Sequence, residues 1–367
     1  MKNTVICHIS TAHSVFDVRI FQKECRTLAQ NGYDVNLLIT HDKKEVVDGV
    51  KIHPLTLSST RLSRISIKQA EAIKKALKID ADVYHLHDPE LIPLGLILKM
   101  KGKKIIYDAH EDLPRQIFSK PYLYDKIKPL ISKAVEFIEN NAVKQFDAVI
   151  TATPYIRDRF LKINKNSIDI NNFPLFEEYN KVNTNISDRE NAVCYIGGLT
   201  QVRGLEEVVK SFSYLKDTKL YLAGSFENSF LEDSLKHSPS WKNVEYLGFI
   251  DRSEVQKILA KVKAGIVTFL PLPNHINSQP NKMFEYMGAG LPVIGSNFPL
   301  WKEIIEGNNC GICVNPKDSK EIADAIKFII DNPKEAEKMG KNGAYIVRKK
   351  YNWEKESKKL LEIYDKL

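Results

Sequence analysis

No stretch of about 18 consecutive apolar residues occurs in this 367-residue chain, so no membrane-spanning helix is expected. The apolar run that follows Met1-Lys2-Asn3, from Thr4 to Ile9, is too short for a signal peptide and has no small-residue cleavage site. Cysteine is sparse. The five cysteines at 7, 25, 194, 310 and 313 are scattered and odd in number, which argues against a disulfide framework. Cys310 and Cys313 have redox-motif spacing, but they lie in an apolar run that reads as a buried strand, and no second pair completes a zinc site. Low-complexity tracts and repeats of solenoid or propeller period are absent. With no acidic metal motif, no metal or cofactor is expected. No nucleic-acid partner is expected either. The chain is expected in the cytoplasm.

What is present suits a globular protein of two domains, with 43% hydrophobic and 27% charged residues. The formal net charge of +8 is uneven: residues 1–170 hold 27 basic against 20 acidic side chains, and residues 171–367 hold 27 against 26. A basic first half suits either an anionic partner or an ordinary solvated surface. Short apolar runs alternate with helical patterns throughout, the signature of βαβ units and parallel sheets. Strands are expected at Val5–Ile9, Val35–Ile39, Val83–Leu86, Ile105–Tyr107 and Ala148–Thr151, with helices at Phe21–Gln30, Ile67–Leu77 and Leu130–Lys144. The polar, Asn-rich stretch 171–191 breaks the rhythm and reads as a linker. The rhythm then resumes with strands at Val193–Ile196, Lys219–Ala223, Val244–Leu247, Gly265–Phe269 and Pro292–Ile294. These boundaries give a first Rossmann-like domain at 1–170, a second at 192–350 and a final helix at 351–367. Ligands of such sheets bind beyond the strand carboxyl ends, so the loops after strands are where chemistry is sought.

The segment 277–294 is the most informative. Ser278 is positioned to cap a helix whose first turn holds Pro280, Asn281 and Lys282, and a helix start with a lysine suits phosphate. Glu285 shares that face and suits two hydroxyl hydrogen bonds, as from a ribose. The same spacing also suits a surface helix with a Glu–Lys pair and a glycine-rich exit. Tyr195 to Leu205 reads as a strand, a glycine turn and a cation, Arg203, opening a helix. In the first half, three loops follow strands: His13 to Glu24, His85 to Glu90, and Tyr107 to Asp112. The His-x-His-Asp of the second also has a possible metal-ligand pattern, though without enough convergent ligands.

Together these segments resemble the retaining glycosyltransferases of family 4, which have the GT-B fold: two Rossmann-like domains facing a central cleft. The resemblance spans the chain from the His13 loop to Asn352-Trp353. It implies that Glu285 holds the nucleotide ribose and that Arg203 and Lys282 clamp the diphosphate. Two family positions differ: Gly198 replaces a clamp arginine, and Asn277 replaces a glutamate that contacts the donor sugar. Asn281 joins these as a donor-site candidate. His110 matches the histidine beside the donor sugar and is the candidate catalytic residue. His13, Asp17, Arg19, His87 and Glu111 are candidate acceptor or cleft contacts.

The implied activity is retaining transfer of a hexose-type sugar from a nucleotide diphosphate to a glycan or lipid-linked acceptor, as in cell-surface polysaccharide synthesis. A sugar-nucleotide 2-epimerase and a non-catalytic GT-B partner subunit are the alternatives. The stretch 117–133 interleaves Lys120, Lys126, Lys128 and Lys133 with apolar residues and suits peripheral contact with an anionic membrane face.

Overall fold

The structure, a computed structural model, describes residues 4–57, 67–120, 122–179 and 185–367. The chain divides into two compact units, residues 1–172 with 354–367 and residues 173–353. Residues 180–184 of the expected linker, and Pro121 of the basic stretch, lie outside the described residues.

Unit 1 is built on eight strands: Val5–Ile9 (β1), Asp34–Thr40 (β2), Glu45–Val47 (β3), Val50–Leu55 (β4), Val83–Leu86 (β5), Lys104–Ala109 (β6), Ala148–Thr151 (β7) and Ser167–Asp169 (β8). Their order is β3-β4-β2-β1-β5-β6-β7-β8. Every pairing is parallel except that of β3 with β4. The five expected strands are present because each is a run of apolar residues buried on both faces. β3, β4 and β8 escaped the pattern: two have only three residues, and β4 alternates Val50, Ile52 and Leu55 with Lys51 and His53. The first helix starts earlier than expected. A π-helical segment, Val18–Cys25, precedes the α-helix Arg26–Gln30, and Asp17 Oδ1 caps it by accepting from the backbone N–H groups of Arg19 and Ile20 at 2.8 and 2.9 Å.

Unit 2 holds Ala192–Ile196 (β9), Lys219–Ala223 (β10), Val244–Gly248 (β11), Ala264–Val267 (β12), Val293–Ser296 (β13) and Gly311–Val314 (β14), all parallel, in the order β11-β10-β9-β12-β13-β14. Side-chain alternation along β9 divides its core. Ala192 and Cys194 pack with Phe284, Tyr286 and Trp301, whereas Val193 and Tyr195 pack with Leu205, Val209 and Ile326. Cys310 and Cys313 are free and buried, and burial pushes both thiols up to about 12, so they are packing residues.

Both sheets grow outward in both directions from a central pair, β1 beside β5 and β9 beside β12. The chain leaves these pairs on opposite sides, opening a crevice at their carboxyl ends. The helix Trp353–Asp365 belongs to unit 1 from Glu354 onward, where Glu356 accepts from the Asn171 backbone at 2.7 Å and Asp365 accepts from the Tyr33 hydroxyl at 2.8 Å. Among the described residues no helix is long and apolar enough to cross a membrane.

Candidate active site

In unit 1 the carboxyl ends of β1, β5 and β6 carry histidines and carboxylates on one side. Parallel register sets His8 beside His85, and strand alternation brings His87, Asp108 and His110 to the same end. Asp108 is fully buried and is the hub. It accepts from Arg19 Nε and Nη2 at 2.9 and 2.8 Å, and lies 3.0 Å from His110 Nε2 and 3.3 Å from His87 Nδ1. Burial would raise its carboxyl, but Arg19 and His110 outweigh that and hold it well below its usual range.

A charged Asp108 orders the protons around it. His110 donates from Nε2 and His87 from Nδ1. Burial pushes His87 down to about 4 despite Asp108, so it is neutral and its Nε2 accepts from His8 Nδ1 at 2.9 Å. Burial also lowers His8 and His85. The Tyr364 hydroxyl therefore donates to His8 Nε2 at 3.2 Å and accepts from His85 Nδ1 at 2.8 Å. The chain ends at His85 Nε2, which has no hydrogen-bond partner. His110 is left with Nδ1 as its acceptor, and its side chain is 18% exposed. Glu24 sits beside this network, 3.1 Å from Arg19 Nε, and burial and then Asp108 push its carboxyl well above the usual range.

His13 stands next to His110, with ring centroids 4.8 Å apart. Its Nδ1 lies 3.2 Å from Asp88 Oδ1 and 3.0 Å from Ser10 Oγ. Asp88 Oδ2 accepts from the Ser10 hydroxyl at 3.0 Å and from the Thr11 and Ala12 backbone N–H groups at 2.6 and 3.2 Å. Of the remaining sequence candidates, Asp17 serves as the helix cap, and Glu111 is exposed and bonded to Gln116, apart from the histidines.

In unit 2 the turn after β9 meets the helix Asn281–Gly288. Gly197 is left-handed at φ 122°, and a Cβ there would come within 3.9 Å of Lys282 Nζ. A Cβ on Gly198 would approach Arg203 Nη1 to 2.7 Å, so the glycine in place of the family's arginine makes room for Arg203. Lys282 Nζ lies 3.6 Å from the centre of the Tyr195 ring and has no hydrogen-bond partner. Burial, then the nearby Arg203, lowers its pKa well below the ordinary lysine value. Gly198, Arg203 and Lys282 therefore converge. Glu285 Oε1 is held 3.3 Å from Arg252 Nη1, and Arg252 also pairs with Glu178. Asn281 opens the helix and is exposed, while Asn277 is half-buried upstream of it. Ser278 is not the cap expected from sequence: its hydroxyl donates to the His275 carbonyl at 2.8 Å, and Pro280 holds the cap position with no side-chain bond.

Two family models match adjoining parts of the chain: Glycosyltransferase Family 4 over residues 18–170 and Glycosyl transferases group 1 over residues 176–345. The chain is a glycosyltransferase of this group 1 and family 4 kind. An uncharacterized glycosyltransferase of Methanocaldococcus jannaschii is 24% identical over 92% of this chain and 90% of its own. Among solved structures, sucrose-phosphate synthase of Thermosynechococcus elongatus superposes with a TM-score of 0.81 at 17% identity, over 99% of each chain. Anabaena HepE in complex with UDP-glucose gives 0.76 at 14% identity, over 100% of each chain. The glycosyltransferase therefore has the GT-B fold.

Several polar residues of these sites were missed in the sequence. Asp88 and Asp108 each sit one strand alternation from a histidine, a signal that was available. Tyr364, Arg252 and Glu178 arrive from distant segments and gave none. Ligand-type atoms of His8, Glu24, His85 and His87, and of His87, Asp108 and His110, lie within 4.8 Å of one another. Their geometry does not suit a metal. His8 Nδ1 and His87 Nε2 face each other at 2.9 Å across a shared proton, whereas tetrahedral bonds of about 2.0 Å separate two ligands by about 3.3 Å. Arg19 already supplies the cation.

Proposed function

We propose that this glycosyltransferase moves a hexose-type sugar from a nucleotide diphosphate to a glycan or lipid-linked acceptor with retention, in cell-surface polysaccharide synthesis. The observation that carries the reading is Lys282, a buried amine with no hydrogen-bond partner beside Arg203 and a glycine turn. An unpaired buried cation is costly, and a diphosphate supplies the missing charge. Solved relatives that bind UDP-glucose support the donor class. In this reading Arg203 and Lys282 stabilise charge on the departing diphosphate, Glu285 accepts the ribose hydroxyls, and Asn277 and Asn281 contact the donor. Gly198 gives the phosphates access to the backbone. On the acceptor side, His110 accepts a sugar hydroxyl through Nδ1. Arg19 and His87 hold Asp108 and His110 in place, and Glu111 lies at the rim. The chemistry runs without a metal, because the leaving charge meets two protein cations.

A thermal-shift panel of UDP-, GDP- and ADP-linked hexoses tests the donor class. A stabilising donor is then followed by NMR of the anomeric configuration in the product. No stabilisation by any member rejects the donor reading, and an inverted product rejects retention.

We also propose peripheral attachment at the inner face of the membrane. The helix Lys128–Val143 buries Lys128, Ser132 and Glu139 yet exposes Leu130 by 72%, Phe137 by 69% and Ile138 by 62%. Exposed Tyr122, Tyr124 and Ile127 precede it, with Lys126 and Lys133 at its flanks. This apolar stripe edged with lysine suits an anionic lipid surface. Flotation with anionic but not neutral vesicles, lost at high salt, is the expected result.

A further inference from the structure

We propose that His13, oriented by Asp88, is the base that takes the proton of the attacking hydroxyl during sugar transfer. The assignment rests on the nucleotide-sugar reading above. In the step, the acceptor oxygen bonds to the anomeric carbon. The bond from that carbon to the diphosphate oxygen breaks, its electron pair leaving with the diphosphate. The acceptor proton moves to His13 Nε2.

Two histidines lie side by side at this end of the sheet, each backed by a buried carboxylate, but the carboxylates differ. Asp108 is already neutralised by the two-pronged Arg19 contact, so a positive charge on His110 would gain little from it. Asp88 has no arginine or lysine partner among the described residues. Its bonds come from the Ser10 hydroxyl, the Thr11 hydroxyl and the backbone of Thr11 and Ala12, and its one ion pair is with His13. The charge of Asp88 is thus left for the imidazolium that forms when His13 accepts a proton.

The orientation also fits. Nδ1 points at Asp88, which leaves Nε2 with no hydrogen bond among the described residues, on a side chain 29% exposed. The other groups facing this ring are Asp17 on its own loop, His87 at the end of β5, and Asp108 and His110 at the end of β6. Lys68 lies behind the loop, where its Nζ bonds the Thr11 carbonyl at 3.3 Å. Burial disfavours a charged His13, but the Asp88 hydrogen bond and the three aspartates outweigh it and raise its pKa. Asp88 touches no substrate in this scheme. It is a positioning residue.

The test uses whichever nucleotide hexose stabilises the full-length protein most, and follows release of the nucleoside diphosphate with water or azide as acceptor. Azide has no proton to lose, so it needs no base. His13→Gln is expected to slow the water reaction by about 100-fold or more. The azide reaction should stay within a few-fold of wild type, and donor affinity by calorimetry should be unchanged. In Asp88→Asn the acidic limb of the pH profile should move to lower pH, because the charge that favours protonated His13 is gone. Equal loss of the water and azide reactions, an unaffected water reaction, or an unmoved limb in Asp88→Asn each overturns the assignment. A wild-type protein that turns over no donor at all rejects the nucleotide-sugar reading instead, and this proposal with it.

Discussion

The two units place polar residues at the same topological point, the crevice beside the central strand pair, but they satisfy them differently. In unit 1 Asp108 meets Arg19, His87 and His110 in a network that runs on through His8 to Tyr364. In unit 2 Lys282 is buried with an aromatic face for company and no hydrogen bond. The first arrangement is complete without a ligand, so it holds side chains in fixed tautomers. The second is incomplete, which keeps its cation available for an incoming anion. Polar groups that support one another stabilise the fold, whereas a group left unpaired is a binding site held at some cost in stability.

Breaking the hub of unit 1 should have the largest effect on stability. Asp108→Ala leaves Arg19 as an unpaired buried charge and is expected to cost about 3–5 kcal/mol in a denaturant melt. The matching change in unit 2, Lys282→Met, should leave the melt unchanged or slightly raised while lowering turnover by about 100- to 1000-fold. A marked loss of stability in Lys282→Met would erase the contrast between the units.

Acid sharpens the comparison next. Buried His87 is pushed down from 6.5 to about 4, so the unfolded chain takes up its proton first as the pH falls. Stability is intact above about pH 6.5, falls progressively toward pH 4 and is not regained below. One such histidine contributes a slope of about 1.4 kcal/mol per pH unit. Because His8 and His85 are lowered as well, the loss should be steeper than one proton allows. Hydrogen exchange should locate the acid-sensitive amides in β1, β5 and β6. Uniform loss across both sheets would contradict it.

Smaller effects follow at the edges of each site. Glu285→Gln should weaken donor binding by about 1.5–3 kcal/mol through a lost charge-assisted hydrogen bond, read by calorimetry, with the fold intact. Removing the hydroxyl in Tyr364→Phe leaves His8 and His85 each short of a partner and should cost about 1–3 kcal/mol of stability. Donor affinity in that variant should match wild type, since the change lies in unit 1.

Much of this was legible in the residues themselves. Continuous apolar runs announced the inner strands, because a strand covered on both faces has no polar positions to reveal its period. The segments around Arg203 and Lys282 were legible because a glycine turn and a helix start are local features, complete within about ten residues. β4 was not, since its alternating lysine and histidine weaken the apolar signal. Nor was the cap at residue 278, where Ser278 turns back to the His275 carbonyl.

What the sequence by itself determined is therefore the local set: two rounds of parallel α/β structure, the loops that follow strands, and the cationic donor segment. Tertiary structure alone decided which charges stand paired. Asp108 meets Arg19 across 89 positions, and Tyr364 meets His8 across 356. Whether a carboxylate is neutralised, as Asp108 is, or left to a single histidine, as Asp88 is, depends on contacts within a few ångströms between segments far apart in the chain. Coulomb and hydrogen-bond energies fall off over that distance, and sequence spacing does not record it.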